Sequence, residues 1–294
     1  MILSMTGFGR AVAQSKTHKI TVEVKSLNSK QLDLNVRIPY LLRDSEPAVR
    51  AAVAGAAERG KIDMTITCET LPGVASSTAS EFNIDTIAAY KQRIEAVCGE
   101  VGIAVPGDLF RTILSLPESL KSPVAEADDD DARALNEALA GAIDGLMAHR
   151  RAEGEQLETF FRERVRAIGG LLTEIEPFEV ERVPKIRARL EESLSKIPAV
   201  DYDKGRLEQE LIFYIEKLDV NEEKQRLRRH LEYFEETLSL PTPGQGKKLG
   251  FISQEMGREI NTLGSKSNDA DMQRIVVRMK DLLEQIKEQV LNVM

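Results

Sequence analysis

Glu255 and Glu259 stand four residues apart in a stretch where Met256, Ile260 and Leu263 recur at helical spacing. Their carboxylates therefore project from one helix face, with Arg258 on the same side. Two carboxylates so placed can hold a hard divalent cation that keeps several of its waters, an arrangement suited to Mg²⁺ or Mn²⁺ chemistry on phosphodiesters. A surface helix laced with ion pairs is the ordinary explanation of the same pattern. His230 is a second candidate. It follows Glu223 by seven residues, an offset of only about 20° around a helix, and Leu227 lies nearly on the same side. A histidine and carboxylates beside a groove can bind a metal or move a proton; a histidine stacked at a helix boundary is the bland counterpart. Glu222 and Glu223 are adjacent and point about 100° apart, so they do not share one site.

Other routes to chemistry are absent. The sequence holds no HExxH, no GxSxG and no clustered Cys and His; Cys68 and Cys98 form neither a CxxC pair nor a metal-ligand spacing and read as reduced, buried small hydrophobes. The run Gly244-Gln245-Gly246-Lys247-Lys248 ends like a phosphate-binding loop. Pro241, however, stands where that loop needs its first glycine, and Lys248 where it needs a Ser or Thr for magnesium. It reads instead as a flexible basic loop able to touch phosphate. Arg226, Arg228 and Arg229 precede His230; Arg182, Lys185, Arg187 and Arg189 lie on another helix; Lys25 and Lys30 flank Asn28. Each group can contact phosphates or simply face solvent. His18 and His149 sit in no such pattern. With five Tyr, nine Phe and no Trp, platforms for base stacking are few.

These side chains need elements to hold them. Ile20, Val22 and Val24 alternate with polar residues, as do Leu32, Leu34, Val36 and Ile38, and again Ile62, Met64, Ile66 and Cys68. This period of two predicts half-buried strands, with a hairpin-like connection across 26–30. Ser45, Pro47 and the Ala-rich run that follows predict a helix, with Gly60 past its end. The 71–80 stretch reads as a loop, and from Ile84 the pattern is helical. Asp128 to Asp131 suits a helix start, Gly169-Gly170 and Pro177 suggest breaks, and Ser267 to Asp271 suits a cap. Leu207, Leu211, Ile215 and Leu218, then Leu227, Leu231, Phe234 and Leu238, then Val276, Met279, Leu283, Ile286 and Val290 trace amphipathic stripes. The predicted class is α+β: a small N-terminal β-rich sheet with a crossing helix, then long helices and a C-terminal helical bundle. The expected divisions are an N-terminal α+β domain over 1–155, connecting long helices over 156–204, and a C-terminal helical domain over 205–294.

The 294 residues are 42% hydrophobic and 30% charged, enough for a packed core. No apolar stretch approaches the roughly 18 residues of a membrane span, and Met1 to Arg10 lack a secretory leader's pattern. A reducing cytoplasm is the expected location. The net charge of −8 weighs against general polyanion affinity, so nucleic-acid binding needs a local basic surface, which oligomer symmetry can concentrate.

Several blocks resemble a known family. They are Ser4-Met5-Thr6-Gly7-Phe8-Gly9-Arg10, Glu23-Val24-Lys25-Ser26-Leu27-Asn28-Ser29-Lys30, Arg59-Gly60-Lys61 and Arg206-Leu207-Glu208-Gln209-Glu210-Leu211. They continue with Asp219-Val220-Asn221-Glu222-Glu223 through Arg226-Leu227 to His230, the run from Gln254-Glu255-Met256-Gly257-Arg258-Glu259 to Ser267, and Lys287-Glu288-Gln289-Val290. Together they resemble the YicC family over both ends of the chain. The resemblance implies an endoribonuclease that depends on a divalent cation (Mn²⁺ or Mg²⁺), cuts single-stranded RNA, forms a ring-like homo-hexamer and works in bacterial RNA turnover beside other RNA-decay enzymes. On that basis Glu223, His230, Glu255 and Glu259 are the expected catalytic residues, with Glu223, Glu255 and Glu259 on the metal. Arg10, Lys25, Asn28, Lys247, Lys248, Arg258, Asn261 and Lys266 are the expected RNA contacts, and Gln254 and Asn261 can orient water or a base. Gly250 and Gly257 depart from the family pattern, which carries Asp and Asn there; a lost Asp ligand would weaken a metal site. Two rivals remain: a non-catalytic RNA-binding adaptor that delivers RNA to another nuclease, and a structural hexamer whose charged blocks are subunit contacts.

Overall fold

A computed structural model describes residues 2–29, 31–57, 59–72, 81–121, 127–196, 204–240 and 244–294. Lys30, Pro241 and most of the 71–80 loop lie outside them. The fold is α+β. Strands β1 (Gly7–Gln14), β2 (His18–Leu27), β3 (Leu32–Arg37) and β4 (Gly60–Thr70) form one sheet in the order β1-β2-β4-β3, with a 3₁₀ turn over Tyr40–Ser45 and helix α1 (Glu46–Ala57) between β3 and β4. Alternation builds its inner face: Val22 sits opposite Ile66 and Val24 opposite Met64, all buried.

The sheet order corrects the expected hairpin. The segment after β2 is not a hairpin, because β4 lies between β2 and β3, antiparallel to the first and parallel to the second. A parallel neighbour needs a crossover, and α1 supplies it. Strand β1, which no alternation announced, pairs antiparallel with β2. Its glycines serve close approach: a Cβ on Gly9 would stand 2.0 Å from the Ala142 carbonyl oxygen.

A short strand pair, β5 (Glu81–Phe82) and β6 (Leu120–Lys121), brackets α2 (Ile84–Val101) and α3 (Leu109–Leu114). Then α4 (Asp129–Glu174) runs for 46 residues, about 69 Å. Asp128 and Asp131 form a capping box at its start. Ala134, Leu135, Ala138, Ala142 and Leu146 cover the sheet, while Phe161, Val165, Ile168 and Leu172 enter the C-terminal core. The expected division at 155 therefore falls inside one helix shared by two cores. Gly169-Gly170 does not break it; the chain turns at Ile175, and Pro177 stands in the first turn of α5 (Glu176–Ser195), where a missing N–H is tolerated.

The remaining helices are α6 (Lys204–Lys217), α7 (Asn221–Ser239), α8 (Gln245–Lys266) and α9 (Ala270–Val290). Lys247 and Lys248 thus belong to the first turns of a helix, not to a loop. The stripes of α7, α8 and α9 share one core with the second half of α4. On α6 only Leu211 of the expected stripe is buried. Asp269 caps α9 through the Asp271 and Met272 amides. The C-terminal residues return to the N-terminal segment: Met5 N–H donates to the Asn292 carbonyl at 2.8 Å and Met294 N–H to the Leu3 carbonyl at 2.9 Å. Among the described residues no helix is long and apolar enough to cross a membrane.

Candidate functional site

Helices α7 and α8 are antiparallel: Glu223 meets Lys266 at one end of the pair and Tyr233 meets Lys248 at the other. Between those ends, one shallow depression is lined by Arg226, Arg229 and His230 from α7 and by Glu255 and Glu259 from α8. The fold therefore brings together three of the four expected catalytic residues, from sequence blocks that local spacing alone cannot join. Their placement follows from helix periodicity. Leu227, Leu231 and Phe234 of α7 and Ile252, Met256 and Ile260 of α8 are buried in the core, which turns the positions between them toward the groove.

Glu259 is buried, Glu255 is half-buried and held by Arg258 Nη1 at 2.8 Å. His230 is half-buried. Arg226 donates to Glu222, whereas Arg229 makes no ion pair among the described residues and is open to a ligand anion. Glu223 stands apart from this lining. Its Oε1 accepts from Lys266 Nζ at 2.8 Å, and the same ammonium donates to the Asp219 carbonyl at 2.8 Å. Next to it, buried Lys224 donates to Glu179 at 2.8 Å. These two pairs clamp α7 to α8 and to α5.

The expected RNA contacts divide into separate surfaces. Lys247, Lys248, Arg258, Asn261 and Lys266 lie along α8; Lys247, Arg258 and Asn261 are exposed. Arg10 and Lys25 lie on the sheet, Arg10 beside Glu23 at 3.4 Å and Lys25 over the Phe8 ring at 5.9 Å. Asn28 donates to the Leu291 carbonyl at 2.7 Å, so it joins the sheet to the C-terminus. Gln254 is exposed on the solvent face of α8.

A divalent cation can be tested against these donors. Among the described residues no group of three or more His, Cys, Asp or Glu side chains is arranged to hold a metal ion. The described residues therefore build no complete cage. A hydrated hard cation, held by one or two carboxylates and completed by water and substrate phosphate, asks less of the protein, and Glu255 with Glu259 meets that requirement. The two glycine departures leave this pair untouched. A Cβ on Gly250 would meet Val290 at 3.6 Å and one on Gly257 would meet Leu283 at 3.3 Å, so both positions face α9, away from the α7 side.

The other candidates are structural. His18 Nδ1 lies 3.0 Å from Asp131, which also accepts from Ser15 Oγ at 2.5 Å. Burial works to raise the Asp131 pKa, but these hydrogen bonds and the nearby His18 hold it below the usual carboxylate value. Burial, helped by the charges of Asp131 and Glu69, pushes the Cys68 thiol up to about 11, so it is a poor nucleophile. His149 faces solvent near Glu153 at 3.8 Å. Two exposed aromatic residues border this region: Tyr233 lies three residues after His230 on α7, and Phe251 four residues before Glu255 on α8.

Comparison with known proteins gives full-length matches. Residues 2–159 match the family described as "Endoribonuclease YicC-like, N-terminal region", and residues 175–294 match "Endoribonuclease YicC-like, C-terminal". A protein named "Probable endoribonuclease YicC" from Clostridioides difficile is 30% identical over 303 residues, covering 100% of both chains. One of the same name from Haemophilus influenzae is 31% identical over 306 residues, covering 99% of both.

Proposed function

The chain belongs to the YicC-like endoribonuclease family, and from that premise we propose that it is an endoribonuclease that cuts single-stranded RNA with a divalent cation, Mn²⁺ or Mg²⁺, in the α7–α8 depression. The observation that carries the proposal is the meeting of His230, Glu255 and Glu259 in one depression beside Arg229. Glu255 and Glu259 would hold the ion. When bound, it supplies positive charge against the scissile phosphate and makes a water more acidic. His230 takes a proton from the attacking oxygen or returns one to the leaving oxygen. Arg229 and Arg226 hold the phosphate and stabilise the charge that grows on it. Arg258 fixes the orientation of Glu255, and the Glu223–Lys266 pair keeps the two helices in register. Lys247 and Asn261 extend the contact along α8. Attack by water and attack by the RNA's own 2′-hydroxyl leave different ends, so end-group analysis of the products separates them.

The reading extends to assembly and setting. Six copies in a ring would gather the basic positions of each chain into a common surface, a local positive field on an assembly that stays acidic as a whole. The protein acts in the cytoplasm in RNA turnover, beside other RNA-decay enzymes. One observation favours the adaptor as a second reading: no cluster of three metal-capable side chains among the described residues. The test is purified protein on a short single-stranded RNA with Mn²⁺, Mg²⁺ or EDTA, alongside Glu259→Ala and Glu255→Ala. Internal cleavage that needs metal and is lost in the variants is expected. RNA binding without cleavage in every condition would put the adaptor in its place.

A further inference from the structure

Phe251 is a large apolar side chain that α8 leaves in solvent. It is 64% exposed, although its neighbours Leu249 and Ile252 are buried. It stands four residues before Glu255 and three after Lys248, so it borders both on the helix surface. Across the groove Tyr233 is 44% exposed, with Lys248 Nζ 4.5 Å over its ring. Tyr233 in turn lies three residues after His230 on α7. The antiparallel pairing thus sets an exposed phenyl ring about one helical turn from Glu255 and a second aromatic ring, with an ammonium over it, about one turn from His230. Among the described residues Lys248 makes no ion pair with a carboxylate.

Building on the endoribonuclease reading, we propose that Phe251, Tyr233 and Lys248 form a shelf for one unpaired nucleobase next to the phosphate that is cut. Lys248 covers one face of Tyr233, so Phe251 offers the open ring. A base lying on it would bring its 5′ or 3′ phosphate within reach of the ammonium. Every base has a π face, so such a shelf accepts any sequence. It rejects duplex, whose bases are already stacked and paired. The shelf therefore gives the site a means of choosing single strands, which the carboxylates and arginines alone do not provide, because they contact only phosphate.

The test is equilibrium binding of a fluorescent single-stranded RNA, of the same RNA with one abasic position moved along it, and of its duplex. Each is titrated with full-length wild type, Phe251→Leu and Phe251→Trp, and cleavage is followed on the same samples with Mn²⁺. Phe251→Leu should weaken single-strand binding roughly tenfold, and Phe251→Trp should retain it. On an RNA short enough to bind in one register, the abasic position that meets the shelf should cost the wild type the same factor and cost the Leu variant nothing further. Duplex binding should not change. A Leu variant that binds single strands as the wild type does, losses that multiply at every abasic position, or an equal loss on duplex would overturn the shelf. Cleavage that persists alongside any of these results would leave the endoribonuclease reading standing. Conversely, wild-type protein with the expected abasic sensitivity but no cleavage would keep the shelf and remove the nuclease.

Discussion

In the sheet core, Arg150 is fully buried and its guanidinium donates to Ser26 Oγ at 2.7 Å, to the Ala57 carbonyl at 3.4 Å and to the Met5 carbonyl at 3.5 Å. In the α7–α8 groove, by contrast, Arg229 makes no ion pair among the described residues, and Glu255 and Glu259 face an open depression. Both regions place charge against helices and strands, but only one leaves it accessible. A cation enclosed by backbone carbonyls and a hydroxyl holds the first strands, α1 and α4 together; an exposed cation, a half-buried carboxylate and a buried one line a depression that is open to a ligand. Charge at the first place should matter for stability, and at the second for activity.

The largest separation is expected from Glu259→Gln, which keeps the shape of this buried side chain and should lower cleavage by at least roughly 10²-fold while changing stability by less than about 1 kcal/mol. Urea unfolding followed by circular dichroism measures the second quantity. If activity and stability fell together, Glu259 would be a structural residue and the contrast would fail. Arg150→Ala should behave in the opposite way: a loss of about 3 kcal/mol, because it leaves buried acceptors unpaired and opens a cavity, with the folded fraction keeping its specific activity.

Asp131→Asn should cost about 1–2 kcal/mol, since the amide makes a poorer partner for Ser15, His18 and the capping box. It also predicts a pH dependence. The Asp131 carboxyl is held below its ordinary value near 3.8. Its stabilisation is therefore fully present above that value and is lost as the pH falls through the lower folded-state value. Acid unfolding of wild type should show that loss, and Asp131→Asn should flatten it. The smallest effect is expected from Gly170→Ala. A Cβ there meets nothing within 4 Å, so the substitution should stabilise α4 by about 0.5–1 kcal/mol and leave cleavage alone. Destabilisation would show that the middle of this helix needs its glycine after all.

Much of the fold could be read from periodicity. The alternation at Ile20–Val24 and Ile62–Ile66 marks strands because side chains on a pleated strand change face at each residue. The stripes of α7, α8 and α9 mark helices for the corresponding reason. Strand β1 was not legible, because Gly7 and Gly9 carry no side chain to alternate; they are set by α4 lying against them, through the Leu146 and Arg150 side chains at Gly7 and the Ala142 and Leu146 backbone at Gly9. The apparent break at Gly169-Gly170 failed in a similar way. The flanking Ile168, Leu171 and Leu172 are buried in the C-terminal core, and that packing outweighs the weak helix preference of two glycines.

For the site, the sequence by itself determined that Glu255, Arg258 and Glu259 share one helix face and that His230 borders the apolar stripe of another, because helical spacing is local. Only the tertiary structure decided that these two faces meet across one groove, that Glu223 is held by Lys266 outside the depression, and that Tyr233 and Phe251 stand beside it in solvent. Those facts depend on the antiparallel packing of α7 on α8, and that packing is set by the common core with α4 and α9, not by the residues of the site.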